Sequence, residues 1–80
     1  MIFLIEYERS KGRLLRFTAF KDSESGEAEA ARLELELSLQ REGVEHEIVI
    51  LEAEDEQMLR RTHRRYFESV EELTKPLARN

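Results

Sequence analysis

The chain has 80 residues, enough for one domain but too few for a second domain with its own core. Acidic residues outnumber basic ones by 18 to 13, so the formal net charge is −5 and the average field repels nucleic acid and anionic lipid. The absence of cysteine excludes disulfides and thiolate metal sites. A core this small is therefore expected to gain stability from self-association.

The first apolar run, from Ile2 to Ile5, is too short for a membrane span or an export signal. Glu6 and Glu8 interrupt it, and no basic segment precedes it. The apolar residues of the whole chain fall in periodic blocks, which a disordered chain would not need. We therefore expect a globular cytoplasmic protein that does not contact a membrane.

The first predicted element is a β-hairpin formed by residues 2–9 and 13–20, which are rich in β-branched and aromatic residues. Ser10-Lys11-Gly12 between them suits a type I turn closed by a left-handed glycine. Pairing Arg9 with Arg13 places apolar partners on one face of the hairpin, namely Tyr7–Leu15, Ile5–Phe17 and Phe3–Ala19. The other face pairs Glu6 with Arg16.

A helix is predicted next, capped by Asp22, Ser23 or Ser25 and running to about Glu42, with Gly43 as its left-handed end. The alternation of four leucines with polar residues between positions 33 and 40 fits a half-buried strand as well. Helix is favoured because residues 28–40 contain no β-branched or aromatic residue and consist almost wholly of good helix formers.

This helix carries apolar residues on two nearly opposite sides, one with Ala28, Ala31, Leu35 and Leu39 and the other with Ala30, Leu33 and Leu37. The second side is covered either by another element of the same chain or by a partner subunit. Ala30, Leu33 and Leu37 are therefore the candidate partner-binding residues of a homodimer.

A third strand is predicted over residues 44–53, followed by a second helix that begins at Asp55 and reaches Phe67 or Leu73. The buried stripe of this helix would hold Leu59, Tyr66, Val70 and Leu73. A right-handed crossover makes the third strand parallel to the second, and the doubly apolar segment Ile2 to Ile5 places the first strand between them, which predicts a mainly antiparallel three-stranded sheet of order 2-1-3. The predicted fold is α+β with element order β-β-α-β-α, in one domain of residues 1–74. Pro76 leaves residues 75–80 as a flexible tail.

The second helix concentrates the positive charge of the chain in Arg60, Arg61, Arg64 and Arg65. As a continuous helix it would project all four away from the apolar stripe, where guanidinium groups could bind phosphate or nucleic acid. The competing interpretation is a solvated face, because Glu56 precedes Arg60 by four residues and Glu68 follows Arg64 by four. The adverse net charge favours the second interpretation.

Neither histidine lies in a pattern that predicts chemistry. His63 falls within the apolar stripe of the second helix and is expected at the core edge with its ring hydrogen-bonded; the alternative is a general base. Strand alternation places His46 on the face opposite Glu45 and Glu47, which argues against a local metal site; the alternative is a site that joins His46, His63 and a distant carboxylate. We therefore assign no catalytic residue, no metal ligand and no cofactor.

Three segments, Arg32 to Leu37, Gly43 to Glu47 and Arg61 to Glu68, resemble those of small bacterial proteins of uncharacterised function. The resemblance implies a bacterial cytosolic setting and carries no activity, ligand or catalytic residue. The sequence as a whole favours a non-enzymatic interaction or regulatory module that forms a homodimer. A nucleic-acid or phosphate-ligand binder remains the alternative, and a small enzyme with a site between subunits is a third.

Overall fold

The computed structural model describes residues 1–68, which form three strands and two helices. In chain order these are β1 (Ile2–Glu8), β2 (Arg13–Phe20), α1 (Ser25–Glu42), β3 (Glu47–Glu52) and α2 (Glu56–Thr62). The predicted α+β fold and the order β-β-α-β-α are confirmed. The domain boundary at residue 74, the tail at 75–80, and the stripe residues Val70 and Leu73 lie outside the described residues.

The sheet has the predicted order β2-β1-β3, and both strand pairs are antiparallel. Six consecutive residues of β1, Ile2 to Tyr7, are buried, which is the pattern of a strand covered on both faces. The central position of β1 follows from that pattern.

The two helices lie on opposite faces of the sheet. On one face Phe3, Ile5 and Tyr7 form the main core with Leu59 of α2 and with Tyr66. On the other face α1 lies across all three strands and faces Leu4 and Phe20. The sheet is therefore the middle layer of three, with apolar contacts to α2 on one face and to α1 on the other.

The hairpin departs from the predicted register at a β-bulge. Ile5–Phe17, Phe3–Ala19 and Glu6–Arg16 pair as expected, but Tyr7 pairs with Leu14 and Glu8 with Arg13. The predicted Tyr7–Leu15 and Arg9–Arg13 pairs are wrong because Leu15 is the extra residue of the bulge and remains 41% exposed. The bulge brings Leu14 against the main core, and the loop becomes one residue longer, with Gly12 at φ 63°.

Helix α1 ends where the glycine predicts, but it begins differently. Gly43 is left-handed at φ 71°, and its N–H and that of Val44 donate to the Gln40 and Leu39 carbonyls in a Schellman arrangement. None of Asp22, Ser23 or Ser25 caps the helix, because a short 3-10 turn, Asp22–Glu24, precedes it. No helix within residues 1–68 is long and apolar enough to cross a membrane.

Strand β3 is shorter than predicted at its beginning. Residues 44–46 do not join the sheet, because Val44 completes the end of α1 and His46 bonds to the side chain of Glu6. Ala53 closes the other end of the strand by donating its N–H to the Met1 carbonyl at 3.1 Å.

The second helix is also shorter than predicted. Its cap is confirmed, since Asp55 accepts a hydrogen bond from the Met58 N–H at 2.8 Å. It ends at Thr62, however, because His63 adopts φ −129° and ψ 54°, and a 3-10 turn, Arg64–Tyr66, follows. This break turns Tyr66 edge-on to Tyr7 at 5.2 Å and Phe67 edge-on to Phe17 at 5.5 Å.

Candidate interaction surfaces

The side of α1 that faces away from the sheet carries the three candidate partner-binding residues. Ala28, at the centre of the inward side, is 1% exposed, whereas Leu33 is 54% and Leu37 46% exposed. Ala30 is exposed one turn before Leu33. These residues line an open hollow of about 550 Å³ with Glu27, Ala31 and Glu34. We call Ala30, Leu33 and Leu37 the outer stripe.

One flank of the outer stripe is partly neutralised within the helix itself, because one arginine pairs with two glutamates. The Arg32 guanidinium lies 2.8 Å from Glu29 Oε1 and 3.0 Å from Glu36 Oε1, and donates hydrogen bonds to both carboxylates. The hydrogen bond to Glu29 and the charges of both glutamates raise the pKa of Arg32 above its usual value. The other flank carries Glu27, Glu34 and Arg41.

The arginine-rich segment, residues 60–65, does not form the continuous cationic surface that an unbroken helix would present. Arg60 is held 2.8 Å from Glu56 and stacks over the Phe67 ring, 4.5 Å from its centroid. Arg64 lies 3.2 Å from Glu68. These are the two glutamates that the four-residue spacing indicated. Local ion pairs therefore hold two of the four arginines.

Arg65 and Arg61 differ from each other in their surroundings. Arg65 lies across the Tyr66 ring at 4.1 Å and donates to Glu47 Oε2 at 2.6 Å. Arg61 makes no ion pair with a carboxylate of residues 1–68. One of the four predicted anion-binding arginines thus keeps its charge unpaired in this part of the chain.

Glu47, Arg65 and Tyr66 form a cluster at the edge of the main core. Tyr66 donates its hydroxyl hydrogen to Glu47 Oε2 at 2.6 Å, and Arg65 donates to the Tyr66 oxygen at the same distance. Burial opposes the charge on Glu47, but the hydrogen bonds from Tyr66 and Arg65 outweigh it and lower the pKa of this carboxyl. Burial and the bond to Glu47 raise the pKa of Tyr66 to about 12.

A second polar cluster lies on the α1 side of the sheet and was only partly predicted. Glu6 is 6% exposed; its Oε1 lies 3.3 Å from Arg16 Nε, and its Oε2 lies 2.6 Å from His46 Nδ1. The Glu6–Arg16 pair follows from the hairpin register. His46 was missed because the sequence placed it inside a strand, and no local spacing connects it to Glu6, which lies 40 residues earlier.

His63 ends α2 and is half-buried, with Nδ1 2.9 Å from the Thr62 hydroxyl. The Thr62 hydroxyl donates back to the Met58 carbonyl at 3.1 Å, so this pair closes the last turn of the helix. The His63 ring is hydrogen-bonded, as the sequence predicts, but His63 lies at the end of α2 and not within the apolar stripe of a continuous helix. No group of three or more histidine and carboxylate side chains within residues 1–68 is arranged to hold a metal ion.

A groove of about 370 Å³ separates α1 from β2. Its lining includes the apolar residues Leu4, Phe20 and Leu35 and the charged residues Arg16 and Arg41. Arg16 is already bonded to Glu6, so its positive charge is partly compensated.

Searches of known protein families, curated proteins and solved structures find no match to this chain.

Proposed function

We propose that the protein is a non-enzymatic interaction or regulatory module that acts as a homodimer, with the outer stripe of α1 as its dimer interface. The observation that carries the proposal is the exposure of Leu33 and Leu37 one turn apart on one helix. A contiguous apolar surface of this kind marks an interaction site more often than apolar residues scattered singly do.

The other exposed large apolar side chains of residues 1–68 belong to different segments of the chain, and they are Met1, Leu15, Val44 and Met58. Leu15 stands alone in the β-bulge, and Val44 lies at the end of α1. The outer stripe is distinct because its residues share one straight helical face with the hollow beside it. This clustering supports an interface rather than chance exposure.

The limited burial of α1 also supports self-association. Only Ala28 of α1 is buried. A domain whose long helix is half covered has a small core, and a second copy on that helix would enlarge the buried apolar surface.

Anion or nucleic-acid binding by Arg60, Arg61, Arg64 and Arg65 has less support. Three of these arginines are held by carboxylates, so a phosphate would have to displace Glu56, Glu47 or Glu68. A ligand would find an unpaired guanidinium among the described residues only at Arg61, in a chain of net charge −5. The bacterial cytosolic setting belongs to the proposal and rests on the sequence resemblance.

Sedimentation equilibrium at high micromolar concentration tests the proposal with matched charge substitutions. The unmodified chain should approach twice its 9.5 kDa mass, and Leu37→Glu should return it to a monomer. Leu15→Glu is the control, because it makes the same change at another exposed leucine, outside α1. A monomeric parent chain, or equal disruption by Leu15→Glu, would contradict the assignment of the outer stripe.

A further inference from the structure

The outer stripe lies within a longer face of α1 that has coiled-coil spacing. Gly26, Ala30, Leu33, Leu37 and Gln40 follow one another at intervals of four, three, four and three residues, which keeps them on one face of the helix. The smallest residues of this face lie toward the beginning of α1, and the longer Gln40 lies toward its end. The face is therefore graded in size along its length.

Side-chain charge also changes along one flank of this face, which we call the free flank because Arg32 does not pair with it. Glu27, Glu34 and Arg41 occupy equivalent positions seven residues apart, with negative charge at the beginning of α1 and positive charge at its end. Glu29 and Glu36 on the other flank are already held by Arg32. The free flank is thus the one whose charges can select the orientation of a second helix.

Resting on the dimer proposed above, we infer that two copies of α1 pack antiparallel about a two-fold axis between Leu33 and Leu37. In this arrangement Leu33 contacts Leu37 of the partner subunit, and the small Ala30 meets the longer Gln40 of the partner subunit. Each interaction occurs twice, as two-fold symmetry requires. A small residue therefore meets a longer one at both ends of the paired face.

The same register brings Glu27 beside Arg41 of the partner subunit, again twice. A parallel pair would leave Glu27 and Arg41 about 21 Å apart along the axis and would set Ala30 against its own copy. The antiparallel pair has two unfavourable contacts, because the two-fold axis places each Glu34 beside the partner's Glu34 and each Glu36 beside the partner's Glu36. Arg32 of the same helix offsets part of the Glu36 charge, so the two Glu27–Arg41 pairs favour the antiparallel orientation.

Cross-linking of single-cysteine variants tests the orientation, and the chain has no cysteine of its own to interfere. Glu34→Cys lies at the proposed axis, whereas the two copies of Ala30→Cys lie about 15 Å apart along an antiparallel pair. A bismaleimide too short to span that distance should cross-link Glu34→Cys and leave Ala30→Cys unlinked. In a parallel pair the two variants would give the reverse result.

Each other outcome overturns the inference in a recognisable way. Linkage of Ala30→Cys alone indicates a parallel pair, equal linkage of both indicates no fixed orientation, and linkage of neither in a sedimenting dimer places the interface elsewhere. A monomer in sedimentation would instead refute the proposed dimer itself, so the two failures are distinguishable.

Charge exchange provides a second test that adds no cross-linker. Glu27→Lys and Arg41→Glu should each weaken the dimer by about threefold or more, since each loses two attractive pairs and creates repulsive ones. The double variant should recover an affinity within about twofold of the parent chain, because it restores both pairs with their signs reversed. Additive weakening in the double variant would overturn the register.

Discussion

Tyr66→Phe is the substitution that most directly tests the polar cluster beside the main core. It keeps the ring that packs edge-on against Tyr7 and removes only the hydroxyl that donates to Glu47 Oε2 at 2.6 Å. A hydrogen bond to a charged group contributes roughly 1.5–3 kcal/mol, so the variant should lose about 2 kcal/mol of the free energy of unfolding at neutral pH. For a domain this small, that corresponds to a fall in Tm of roughly 8–16 °C.

The stability lost in Tyr66→Phe should also depend on pH in a defined direction. The folded state raises the pKa of Tyr66 from 10.0 to about 12, so it favours the neutral phenol. The resulting stability is fully present below pH 10 and is lost as the pH rises from 10 to about 12. A shift of this size corresponds to on the order of 2–3 kcal/mol. The difference between the parent chain and Tyr66→Phe should therefore shrink across this pH range.

Urea unfolding followed by circular dichroism at a series of pH values measures both quantities. Tyr7→Phe is the matched control, because the Tyr7 hydroxyl makes no hydrogen bond within residues 1–68 and its loss should change stability little. The reasoning is refuted if Tyr66→Phe is as stable as the parent chain, or if its deficit is the same at pH 9 as near pH 12.

Three further substitutions have defined outcomes. Because the pKa of the Glu47 carboxyl is lowered, this group stabilises the folded state above pH 4.5, its ordinary pKa, and the stability is lost as the pH falls below that value. In denaturant unfolding, Glu47→Gln should therefore reduce the fall of the free energy of unfolding at acid pH. His46→Ala should cost about 1–3 kcal/mol in the same assay because it leaves the buried Glu6 with Arg16 alone, and a neutral result would mean that water replaces the imidazole. Gly43→Ala should cost about 1 kcal/mol because φ is 71°, and an unchanged Tm would contradict the role of the left-handed cap.

The overall fold could be predicted because its main signals are local. The continuously apolar β1 indicated the central strand and hence the strand order, and the crossover through α1 indicated that β3 runs parallel to β2. Gly43 and Asp55 acted as helix boundaries through backbone conformation and capping, which depend on few neighbours.

The errors occur where distant contacts decide between similar local choices. Leu14 and Leu15 are chemically identical, so the sequence could not indicate which would be the extra residue of the bulge. The end of α2 at Thr62 is fixed by the packing of Tyr66 and Phe67 on β1 and β2, which outweighs helix propensity.

The polar clusters were harder to predict than the apolar faces. Glu6–His46 and Glu47–Arg65 join residues separated by 40 and 18 positions, and no spacing rule connects them. The exposure of Leu33 and Leu37, in contrast, follows from helical periodicity once the segment is assigned as helix, because the sheet can cover only one side of α1.

Amide chemical shifts recorded by NMR over a dilution series test the central claim, self-association through the outer stripe, without any substitution. On concentration, the largest changes should occur at Ala30, Leu33 and Leu37, and the sheet-facing Ala28 and Leu35 should change less. Spectra that do not depend on concentration, or changes centred on the exposed edge of β2, would contradict the account.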